Sequence, residues 1–87
     1  MLTAKLIDNI WATRKAESLN GYKFMLAEVF GGSDEGQHMV VVDIISAGIG
    51  DRVIVCTGSS ARKMLGDNVP VDAVVVGIID ENCRLDV

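Results

Sequence analysis

The sequence predicts an all-β fold: a small, closed, five-stranded barrel with one short helix after the fourth strand. Three observations lead there. The apolar content is 49% and the aromatic content only 5%, so the apolar residues are mainly Val, Ile, Leu and Ala, whose β-branched members favour strands. These residues gather into short runs separated by Gly, Asn, Asp and Pro, which punctuate sheets. One insertion breaks the pattern: Gly58-Ser59-Ser60-Ala61-Arg62, between the apolar runs Val53-Ile54-Val55-Cys56 and Ala73 to Ile79, reads as a turn opening a helix.

The first strand runs from Leu2 to Trp11 and alternates loosely, with a bend or bulge expected near Asp8-Asn9. Thr13 to Leu19 is a polar connection, and Asn20-Gly21 signals a turn. In the second strand, Tyr22 to Phe30, residues Tyr22, Phe24 and Leu26 share one face, and Lys23, Met25, Ala27 and Val29 share the other. Gly31 to Gly36 is a flexible acidic hairpin connection without the alternating oxygen ligands of a calcium loop.

Met39 to Ile45 is the third strand, with His38 facing solvent at its start. Ser46 to Asp51 then turns the chain into the fourth, Arg52 to Thr57. The Gly48-x-Gly50 pair is a tight bend rather than a dinucleotide loop, because no third glycine and no helix follow. Gly58 suits a positive φ, Ser59 or Ser60 is placed to cap the helix, and Gly66 closes it. Asp67 to Asp72 is a turn stiffened by Pro70, and the last strand, Ala73 to Ile79, lies between Asp72 and Asp80 as edge markers. Closing five short strands into a barrel related to the oligonucleotide-binding fold removes most free edges.

At 87 residues the chain is expected to be a single domain, 1–87, with a thin core. No apolar run approaches the roughly 20 residues of a membrane span, and Asp8 interrupts the start where a signal peptide needs apolar residues. A soluble, unprocessed protein with no membrane partner is expected. Cys56 and Cys83 lack metal-ligand spacing and are expected to be reduced structural thiols of a cytosolic protein, with no metal and no cofactor.

A net charge of −4 argues against gripping phosphate backbones. The alternative of a barrel module binding single-stranded nucleic acid needs a basic groove and stacking aromatics, and only Trp11, Tyr22, Phe24 and Phe30 are available. Catalysis is not expected either. His38 is the sole imidazole, and no nucleophile-and-base pair is recognisable.

Val40-Val41-Val42, Val53 to Cys56 and Ala73 to Ile79 are apolar on both faces, whereas a barrel has one interior. One helix of this length does not cover three strands, so another copy of the chain is expected to cover the rest. Asp43, the one acid within an apolar run, is expected to make either a buried hydrogen bond or a pair with a cation across subunits.

Five segments in order, Thr13-Arg14-Lys15, Leu19-x-Gly21-x-Lys23, Val42-Asp43 with Ala47-Gly48-x-Gly50-Asp51, Gly58-Ser59-Ser60-Ala61-Arg62, and Pro70-Val71-Asp72-Ala73 leading to Gly77-Ile78-Ile79-Asp80, resemble the vertex proteins of bacterial microcompartment shells, the EutN/CcmL family. Ile45-Ser46 departs from the family's small, glycine-rich approach to Ala-Gly, and neither Gly31 to Gln37 nor Asn82 to Val87 carries a signature. The resemblance implies a non-enzymatic β-barrel that forms a homopentamer, caps shell corners in the cytoplasm and meets hexagonal shell proteins. It also implies that Thr13, Arg14, Lys15, Gly58, Ser59, Ser60, Ala61 and Arg62, with Asp43, are candidates for subunit contacts or a central opening.

Overall fold

Alternating side chains drive the strands of this chain together into a barrel. The computed structural model describes residues 1–66 and 69–84. Among them β1 (Leu2–Ile10), β2 (Lys23–Val29), β3 (His38–Asp43), β4 (Arg52–Thr57) and β5 (Ala73–Ile78) close in the order β1-β2-β3-β5-β4. The one helix, α1 (Ser59–Leu65), follows β4 as expected. Neighbouring strands are antiparallel except β3 and β5, which run parallel and share only the pairs Val42/Val74 and Asp43/Val75. No helix among the described residues is long and apolar enough to cross a membrane.

The interior is filled by small and medium aliphatic side chains. Leu6, Met25, Val41, Val53, Val55 and Val75 are fully buried, with Ala4, Ala27, Ala47 and Ala73 between them. A narrow barrel has no room for rings, which explains a chain rich in Val and poor in aromatics. Each such aliphatic side chain taken from water contributes about 1.5–3 kcal/mol.

A second cluster lies outside the barrel wall. Val42, Cys56 and Val74 point outward from three strands and are covered by Ala61 of α1, by Val71, and by the partly buried Leu19, Tyr22, Phe24, Leu65 and Val69. The helix covers more than its length promised because the flanking loops pack with it. Val40 and Ile78 still remain about half exposed, at 53% and 47%.

Several local expectations shift. The β1 irregularity lies between Leu6 and Asp8, one residue ahead of its expected place. Strand β1 ends at Ile10, leaving Trp11 outside, and a single 3-10 turn, Glu17–Leu19, interrupts the polar connection. Tyr22 and Phe30 flank β2 rather than belonging to it. Strand β3 stops at Asp43 because the Asp43 carboxylate accepts the Ile45 N–H at 3.0 Å and Ser46 then turns with φ 63°.

Neither serine caps α1. Gly58 occupies the N-cap position at φ 75° and ψ −151° without a side-chain bond, and its carbonyl accepts from the Ala61 N–H at 3.1 Å. Gly66 closes the helix at φ 107°, its N–H bonded to the Arg62 carbonyl. Cys56 is buried as expected, but Cys83 is exposed, so only the former packs as a small hydrophobe. His38 opens β3 and is exposed. Of the expected turn at 67–72, Asp67 and Asn68 lie outside the described residues, as do Leu85, Asp86 and Val87 of the tail.

Candidate functional site

Two segments remote in sequence reach the same side of the barrel. Thr13, Arg14 and Lys15 lie in the exposed connection after β1, and the Lys15 Nζ stands 5.1 Å over the Phe24 ring. Phe24 lies opposite Val42 in the β2/β3 ladder and points outward. From there a shallow groove of about 200 Å³ runs between Leu19, Val40, Pro70 and Asp72. A neighbouring hollow of about 270 Å³ shares Pro70, Val71 and Asp72 and ends at Arg62. On the other side of Phe24 a third hollow, about 320 Å³, is bounded by Trp11, Lys15 and Tyr22.

These concavities form one track, with an aliphatic floor at its centre and cations at both ends. Val40 is its most exposed aliphatic element. An apolar floor excludes water from whatever covers it, and peripheral charges select orientation and partner more than they add affinity. Such a surface fits a protein contact better than a small molecule, since none of the hollows is enclosed by convergent polar groups. Among the described residues no group of three or more His, Cys, Asp or Glu side chains is placed to hold a metal.

The remaining candidates divide by burial. Ser59 and Ser60 are exposed on the first turn of α1, and Gly58 is half-buried behind them. Ala61 is wholly buried in the second cluster, so it anchors the helix instead of facing outward. Asp43 is also inside. Its Oδ2 lies 3.1 Å from Lys23 Nζ, an ion pair whose alignment falls short of a hydrogen bond, while Nζ donates to the Ala47 carbonyl at 2.6 Å. Of the two roles expected for Asp43, the buried hydrogen bond is observed, and the cation it meets belongs to its own chain.

Trp11 and Val40 are the parts of this surface that sequence reasoning passed over. Trp11 is 87% exposed beside the cationic connection. A lone Trp directly ahead of seven polar-leaning residues was the available signal. For Val40 the signal was the unbroken valine run, of which alternate members must face away from the barrel interior.

The chain was compared with known proteins. The family model described as "Ethanolamine utilisation protein EutN/carboxysome" (EutN_CcmL) matches residues 1–80. The bacterial microcompartment shell vertex protein GrpN of Rhodospirillum rubrum is 42% identical over 83 residues, covering 92% of this chain and 93% of the relative. Among solved structures, an ethanolamine utilization protein, EutN, superposes with a TM-score of 0.86 at 34% identity, covering 97% of this chain and 91% of that one. The GrpN pentameric microcompartment shell protein from Rhodospirillum rubrum gives 0.80 at 40% identity, covering 92% and 95%.

Proposed function

Because this chain belongs to the EutN/CcmL family, we propose that it is a structural shell protein whose copies close into a homopentameric ring. The ring caps the vertices of a polyhedral bacterial microcompartment shell, in the cytoplasm. The observation that carries this reading is the likeness, over nearly the whole chain, to a relative described as a pentameric shell protein. The half-exposed Val40 and Ile78 of the single chain support it, since a ring gives them cover.

The mechanism is geometric. A flat layer of hexagonal tiles cannot close on itself, and five-fold units at the corners supply the missing curvature. The chain's part is a rigid barrel and two complementary flanks. Its role is structural, and its other partners are the hexagonal shell proteins that meet the outer rim of the ring.

A single-strand nucleic-acid module finds less support. The groove floor is aliphatic, Phe30 is buried, and Lys15 already occupies the face of Phe24.

Production of the hexagonal shell proteins of the same source with and without this chain tests the reading by electron microscopy. Closed polyhedra containing the chain, and open or tubular assemblies without it, are the expected result. Shells that close equally well without it, and exclude it when it is present, contradict the reading.

A further inference from the structure

A ring made of one kind of subunit joins head to tail, so it needs two different surfaces that fit each other. The groove supplies one of them. Val40 lies in its floor, Arg14 and Lys15 stand at one end, and Arg62 stands at the other. Its complement must therefore be apolar with an anionic border.

Among the described residues the end of β5 has that character. Ile78 is 47% exposed, and the exposed Asp80 and Glu81 follow it. The loop bearing Asp34 and Glu35 is as acidic but presents no large exposed apolar side chain. Ile49 is exposed near Asp51, yet that carboxylate already accepts the Gly48 N–H at 2.8 Å.

The end of β5 is also held in shape. Arg52 Nη2 donates to the carbonyls of Asp80 at 2.9 Å and Cys83 at 2.7 Å, and the Asp80 carboxylate accepts the Asn82 N–H at 2.7 Å. A surface ordered before contact loses less entropy on binding.

The two surfaces do not meet within one subunit. The parallel pairing of Val42 with Val74 sets Val40 level with Asp72, and Ile78 lies six residues farther along β5, about 20 Å away by strand rise.

Resting on the ring reading above, we infer that the groove receives the Ile78–Glu81 segment of a second copy of this chain. Ile78 seats beside Val40 and Phe24, and Glu81 meets Arg14. Every subunit then uses both surfaces once. At the usual 800 Å² or so per partner, the two contacts cover about 1,600 Å² of the 5,572 Å² that the single chain exposes.

Native mass spectrometry of the unmodified chain and of Val40→Glu, Arg14→Glu, Glu81→Lys and the Arg14→Glu/Glu81→Lys pair tests this, with circular dichroism as the check on folding. Val40→Glu is expected to give folded monomers. Arg14→Glu and Glu81→Lys are each expected to raise the concentration of half-dissociation about fivefold, and the paired exchange to bring it back. Should Val40→Glu fail to fold, the exchange of the two exposed charges still decides. Intact rings in Val40→Glu, or a paired exchange no better than its single changes, overturn the inference and leave the ring reading standing. A monomeric unmodified chain overturns the ring reading itself.

Discussion

Lys23 and Asp43 face each other across β2 and β3 and bring Nζ to 3.1 Å from Oδ2 at the mouth of the barrel. The Asp43 side chain is fully buried and that of Lys23 is 45% exposed. They share the inward-facing register of Met25 and Val41, so the pair closes the interior where the valine packing ends. Through the Ala47 carbonyl, Lys23 also ties the connection after β3 to β2.

Lys23→Met keeps the length of the side chain and removes its charge, leaving a buried carboxylate oxygen without a partner. The expected loss is about 1–3 kcal/mol in urea unfolding. Asp43→Asn, which keeps an oxygen for the Ile45 N–H, is expected to cost less. Equal stability of Lys23→Met and the unmodified chain contradicts the closing role of the pair.

The start of α1 depends on backbone shape rather than on serine caps. Gly58 lies at φ 75° and ψ −151°, a region open essentially to glycine, with nothing within 4 Å of an added Cβ. Gly58→Ala is therefore expected to cost about 1–3 kcal/mol through strain alone. Ser59→Ala and Ser60→Ala are each expected to stay within about 0.5 kcal/mol, because neither hydroxyl caps the helix. Thermal melting of the three variants separates these outcomes, and a Ser59→Ala loss as large as that of Gly58→Ala contradicts the account.

Burial separates stability from assembly. Leu6 is fully buried in the barrel, so Leu6→Ala is expected to cost about 2–5 kcal/mol. Trp11 is 87% exposed, and Trp11→Ala is expected to leave chemical unfolding of the single chain within about 0.5 kcal/mol while weakening subunit association. Association unchanged in Trp11→Ala removes the residue from the assembly surface.

The barrel was legible because β-branched runs and glycine-rich turns mark strands directly, and the lone helix was legible from Gly58 and Gly66. What escaped was set by contacts between distant residues. The end of β3 depends on the Asp43 carboxylate turning back on Ile45, and the serine caps failed because Gly58 already shapes the helix entry. The valine runs correctly announced a second apolar face. They did not reveal that α1 and its flanking loops cover Val42, Cys56 and Val74 and leave Val40 open, because that division depends on how Leu19, Tyr22 and Val71 fold over the wall. For the same reason Thr13 to Lys15 and Gly58 to Arg62 read as two separate candidates, whereas Phe24 and Pro70 join their cations along one groove.

The central claim is that this chain closes into a ring of five, and native mass spectrometry of the purified protein at low micromolar concentration tests it most directly. The account predicts a dominant species of five times the 9.3 kDa chain mass, unchanged on moderate dilution. A dominant folded monomer at the mass of the single chain contradicts it.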